Sequence, residues 1–214
     1  MKNAIPRIAL RAVLAASNLA LPVACLAMPA VAQAQNDGQV HVRGSIAAVN
    51  GNTLQVKTRE GKTVAVTLAD GVRVAGVARA DIADIKPGDF VGIASLPKAD
   101  GGDGALEVLI FPPAMKGVGE GSYGWDLKPN SSMTNATVAN AVKGVDGHTV
   151  TVSYHGREKK IAIPAGTPVV TLAPAAMKDL VAGAVVFVPA KKGARGALTA
   201  QQVVVGANGV VPPM

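Results

Sequence analysis

Apolar and polar residues alternate with period two along this chain. Val40, Val42, Ile46 and Ala48 share one face with Gly44, while His41, Arg43 and Ser45 take the other and are expected to meet solvent. Leu54 and Val56 then alternate with Gln55 and Lys57, and Val64, Val66 and Leu68 with Ala65 and Thr67. Such alternation marks strands with one buried face. Asn50-Gly51 and Glu60-Gly61 supply the turns, so three antiparallel strands follow directly. The period breaks at 78–85, a short Ala-rich run free of Gly and Pro, which predicts a helical turn or two ending before Pro87-Gly88. Two more strands, 89–96 and 105–111, flank the loop Asp100-Gly101-Gly102-Asp103-Gly104.

The whole pattern is written twice. Val49-Asn50-Gly51-Asn52-Thr53-Leu54-Gln55-Val56 reappears as Val145-Asp146-Gly147-His148-Thr149-Val150-Thr151-Val152. Asp84-Ile85-Lys86-Pro87-Gly88 is answered by Asp179-Leu180-Val181-Ala182-Gly183, and Gly104-Ala105-Leu106 by Gly196-Ala197-Leu198. A repeat of this kind decides architecture before any local reading. The second unit places its elements at 136–142, 149–154, 160–163, 174–180, 185–189 and 198–205. Three strands, a short helix and two strands is the element order of an OB-type barrel. The expectation is an all-β chain of two tandem small OB-like β-barrels, each with one short helix between strands 3 and 4. The first barrel spans 35–111 and the second 134–206, with a connector at 112–133 and a frayed tail at 207–214.

The residues Val42, Gly44, Ile46, Val49, Gly51, Thr53, Leu54 and Val56, then Ile85, Gly88, Asp89 and Val91, then Gly104 and Leu106, carry a motif of turn and core positions. In this the chain resembles tandem exported bacterial barrel domains of the family catalogued as domain of unknown function 5666. The second copy departs from the motif, with Asn140 aligned to Gly44 and Ala184 to Asp89. The resemblance implies a barrel fold and carries no active site.

The first 34 residues read as a secretory signal: Lys2, Arg7 and Arg11 precede an apolar run, and Ala32-Gln33-Ala34 fits a cleavage site before Gln35. Ser17, Asn18, Pro22 and Pro29 interrupt that run, so no transmembrane segment is expected in the mature chain. A periplasmic or secreted protein follows. The single cysteine, Cys25, falls inside the leader, leaving the mature chain without thiol or disulfide. Three of the 21 basic residues and none of the 14 acidic ones lie in the leader, which lowers the formal charge from +7 to +4. That excess suits ordinary solubility as well as weak attraction to an anionic surface.

Little of the remaining sequence points to chemistry. Gly119-Glu120-Gly121-Ser122-Tyr123-Gly124 matches a dinucleotide fingerprint, but Trp125-Asp126-Leu127-Lys128-Pro129 follows where a helix must open. His41, His148 and His155 form no metal-binding pair, and His148 and His155 stand on opposite faces of one strand. Asp100 and Asp103 offer calcium only two carboxylates. The basic turns Arg157-Glu158-Lys159-Lys160 and Lys191-Lys192 read as solvated, and few aromatics remain to stack bases, so no nucleic acid is expected. No catalytic constellation is spaced for acid, base or nucleophile work, and no cofactor is expected. Within the connector, Tyr123 and the only tryptophan, Trp125, argue for packing. The expected role is a non-catalytic binding or structural module of the envelope, its partner an envelope protein or a small ligand. The alternative is a small-ligand or metal-ion site in the connector at Glu120, Tyr123, Trp125 and Asp126.

Overall fold

The computed structural model describes residues 38–144 and 147–212, so the expected signal peptide, its cleavage site and Cys25 lie outside the described residues. Strands take up 61% of the described residues, and no described helix reaches seven residues, an all-β structure. In order they are β1 (Gln39–Asn50), β2 (Thr53–Thr58), β3 (Thr63–Arg79), β4 (Phe90–Pro97), β5 (Asp103–Ile110), β6 (Gly121–Gly124), β7 (Ser132–Gly144), β8 (Gly147–Tyr154), β9 (Arg157–Pro164), β10 (Val169–Pro174), β11 (Val185–Lys192) and β12 (Leu198–Gly206).

The meander β1-β2-β3 forms as the alternation predicts, with Val42, Ile46, Leu54, Val56, Val66 and Leu68 all buried. Gly44 allows the tight curl between β1 and β2, because a Cβ there would lie 2.0 Å from the Lys57 carbonyl oxygen. The meander closes into a five-strand barrel through β11 and β12: β1 pairs with β11, β11 with β12, and β12 runs parallel to β3. A second ring closes in the same way, with β7-β8-β9 joined to β4 and β5 through antiparallel β4–β7 and parallel β5–β9 pairing. The expected barrels were contiguous, 35–111 and 134–206. The pairings instead exchange halves, so each ring takes three strands from one sequence unit and two from the other.

The exchange runs through two arms. β3 is seventeen residues long and continues past the first barrel, where a helix was expected to begin. Its second half lies antiparallel to β10, with Val77 opposite Leu172. These two are repeat equivalents, 95 residues apart, and the register is symmetric about them: Arg79 faces Val170, and Pro174 faces Ala75. The arms thus cross on a local two-fold axis. A separate core of Val77, Leu109, Val170, Phe187 and Val204 fills the crossing. Beyond it the expected helices are single 3-10 turns, Ile82–Asp84 and Met177–Asp179. In the first, Asp81 accepts from Ala83 N at 2.8 Å and Asp84 accepts from Asp81 N at 2.8 Å. Each turn delivers one plug, Ile85 into the second ring and Leu180 into the first. The tail is also packed: Val210 joins the crossing core and Pro212 is buried. Gly206 permits this fold-back, since a Cβ there would lie 1.6 Å from the Val210 carbonyl oxygen.

What makes each hairpin choose the distant meander can be read from the barrel interiors. In the first ring Val40 faces Ala190, Val42 faces Val188, Val64 faces Val56 and Leu198 faces Val66. The equivalent pairs of the second ring are Ser132 with Ser95, Thr134 with Ile93, Lys159 with Val152 and Asp103 with Ile161. Five apolar positions of one ring are therefore polar in the other. They satisfy one another: Lys159 pairs with Asp103 and donates to Ser132 and Thr134 at 3.3 Å, and Ser95 donates to Asp103 at 3.0 Å. Contiguous barrels would strand Asp103 among valines and Lys159 beside Ala190 and Leu198, and an uncompensated buried charge costs several kcal/mol.

Either single variant, Lys159→Val or Asp103→Leu, should lower unfolding stability by about 3 kcal/mol. The double variant, which installs the residues of the first ring, should recover most of that loss. Urea unfolding checks both, and strictly additive losses would show that the two side chains do not depend on each other.

Candidate functional site

The connector is tied to the rings at both ends. β6 adds to the edge of β7, pairing Tyr123 with Met133. After it the chain turns back through Ser131, whose N–H, hydroxyl and carbonyl bond to Lys128 and Trp125. The turn presents Trp125 to the outer face of β1 and β11. Its ring lies 4.4 Å from that of His41 and 6.4 Å from that of Phe187. The Arg43 guanidinium stands 5.6 Å from the Trp125 ring centre and 5.2 Å from that of Phe187, close enough for cation–π attraction. Asp126 completes the group, accepting from Arg43 at 2.7 Å and bonding His41 Nδ1 at 3.0 Å. His41 and Arg43 were expected to face solvent; their side chains are only 7% and 10% exposed, because Trp125 covers them.

Burial alone would raise the Asp126 carboxyl. The hydrogen bonds from Arg43 and His41, and the charge beside it, outweigh that effect and hold it below its ordinary value of 3.8. Tyr123 accepts a hydrogen bond from Asn135 at 3.1 Å, and burial pushes its hydroxyl above the usual range. Glu120 stands apart, accepting from the backbone N–H of His155 at 2.8 Å. The structure thus gathers Trp125, Asp126 and Tyr123 and leaves Glu120 at the β8–β9 turn. Each of the four makes contacts within the chain, and the Trp125 indole N–H is buried without a hydrogen-bond partner. The cavity between Tyr123, Trp125 and Phe111 measures about 70 Å³, room for water and little else.

The polar interior of the second ring brings Ser95, Ser132 and Lys159 together, a combination that in other settings activates a hydroxyl. Here each of the three lysine donors has an acceptor in Asp103, Ser132 and Thr134, so the cluster reads as a satisfied structural network. No group of three His, Cys, Asp or Glu among the described residues is placed to hold a metal ion.

Open concave surface lies elsewhere, on either side of the segment after β3. One groove, about 640 Å³, runs past Asp84, Lys86 and Phe90 to Pro113 and Lys116; there the Lys116 ammonium donates to the Gly88 carbonyl at 3.1 Å. The other, about 650 Å³, runs between Arg79–Ile82 and the turn 164–168, with His148 at its rim and Val210 and Val211 along one wall. Neither Arg79 nor His148 was singled out from sequence as a site residue. Arg79 fell inside an expected helix. His148 fell in the aligned turn, but the β7–β8 hairpin continues two residue pairs further, through Lys143–His148 and Gly144–Gly147, than the Asn50–Thr53 end of β1–β2. The prolines that break β9 from β10, Pro164 and Pro168, were the available signal.

The folded Asp126 carboxyl titrates below its unfolded value, so its stabilisation is present above the ordinary carboxylate range and drains away as pH falls through the folded value. Trp125 emission should shift to the red below about pH 4 while the strand signal persists. Asp126→Asn should remove that acid step, and a variant that keeps it would refute the role given to Asp126.

No protein-family model, no curated protein and no solved structure matches this chain.

Proposed function

We propose that the protein is a non-catalytic binding or structural module exported to the bacterial envelope, built from two OB-like barrels that share their strands. The mature chain would begin at Gln35 and work in the periplasm or outside the cell, related to the tandem barrel domains it resembles. The observation that carries this reading is where the polar and aromatic side chains are spent. Trp125, Asp126, His41 and Arg43 fasten the connector, and Lys159, Asp103 and the neighbouring hydroxyls fill one barrel. The charged groups have their partners inside the chain, and the Trp125 ring packs on His41 and Phe187. Catalysis depends on reactive groups held ready in a cleft, whereas an interlocked scaffold with shallow outer grooves suits recognition.

The connector is the weaker place for a ligand, because the residues that would serve it already serve the fold. A binding role also fits the topology: a grooved surface lies beside the crossing arms, where strands from both sequence units are held by a common core.

Native mass spectrometry of the protein isolated from its own envelope should show a companion, protein or small molecule, at defined stoichiometry. The isolated mature chain should begin at Gln35. A bare mass together with hydrolytic or transferase turnover that follows the protein through purification would overturn the non-catalytic reading.

A further inference from the structure

We propose that the groove between Arg79–Ile82 and the turn 164–168 is a binding site for a small organic carboxylate, its charged end on Arg79 and its apolar body along Val169, Val210 and Val211. The assignment rests on the non-catalytic binding role and names the class of ligand for it.

The duplication supplies an internal control for which residues the fold needs. Arg79 and Pro174 are equivalent under the two-fold register of the arms, 95 residues apart and facing Val170 and Ala75. Asp81 and Ala176 are likewise equivalent, each preceding its 3-10 turn. His148 corresponds to Asn52 in the repeated turn motif. The arm and its 3-10 turn are therefore built once with Arg79 and Asp81 and once with Pro174 and Ala176. The barrel and its arm do not require the charged set.

The charges themselves are unevenly committed. Asp81 spends its carboxylate on the Ala83 N–H of the turn. The Arg79 guanidinium, on an exposed side chain, has no ion pair or hydrogen bond among the described residues. His148 Nδ1 is shielded from solvent and has no hydrogen-bond partner. A buried polar atom without a partner is costly, and the His148 side chain lines the groove beside Arg79. A free guanidinium beside apolar walls suits a planar carboxylate, which it can meet through two parallel hydrogen bonds. The groove, about 650 Å³, falls within the size range of small-molecule sites.

Isothermal titration of the mature protein with octanoate tests this, with octanol as the uncharged probe of equal length. The expected result is one site, with octanol and the Arg79→Gln variant each binding at least tenfold more weakly. Equal binding of octanoate and octanol, or octanoate binding unaffected by Arg79→Gln, would overturn the carboxylate assignment, as would no heat at millimolar octanoate. If octanoate fails while an envelope companion still copurifies, the ligand class is wrong and the binding role stands. Turnover of a substrate would remove the role itself, whatever octanoate does.

Discussion

A lysine and an aspartate can share the interior of a small barrel only if they meet there, and the pairing of Lys159 with Asp103 sets how this chain is threaded. Lys159 belongs to the meander of the second sequence unit and Asp103 to the hairpin of the first. Satisfying both charges in one ring obliges the hairpins to trade places, which leaves the apolar set of Val40, Val42, Val64, Ala190 and Leu198 for the other ring. Ser95, Ser132 and Thr134 extend the same matching through hydroxyls. A buried ion pair adds little net stability, since desolvation offsets much of the attraction. Its effect is to penalise the alternative pairing, and between two units of the same element order that discrimination is what the apolar alternation alone cannot supply.

Local structure was legible in the sequence to the extent that it depends on nearest neighbours. Period-two runs and the repeat located the strands of both units except β6 and β10, and glycine-bearing turns located the hairpins. The exchange was not legible, because each meander and each hairpin presents the same apolar face to either partner. Five interior positions differ in polarity between the two rings. Lys159, seen next to Arg157 and Lys160, reads as part of a solvated turn until strand register places it beside Ile161 on the inner face. The long arm of β3 was hidden for a related reason. Ala78 and Arg79 lack strand character on their own and are strand because β10 lies beside them.

The same logic explains the candidate sites. His41 and Arg43 alternate as exposed residues should, and nothing in β1 announces that a tryptophan 80-odd residues later will cover them. Aromatic content did mark the connector as packed, because a solvated tryptophan among glycines gains nothing. It did not show whether the acid beside it serves a ligand or the fold. Asp126 bonds within the fold, drawing Arg43 and His41 to one oxygen.

Shared strands also change what a broken chain would look like. Between β5 and β6 the connector passes through Gly117 and the half-exposed Val118, a natural place for a protease to enter. A cut there would leave β1 to β5 on one fragment and β6 to β12 on the other, and each fragment contributes strands to both rings. The pieces would stay threaded through one another, and neither could leave without opening both barrels. The severed molecule would keep its size, its grooves and its barrels, so integrity of the polypeptide and integrity of the particle are separate properties of this protein.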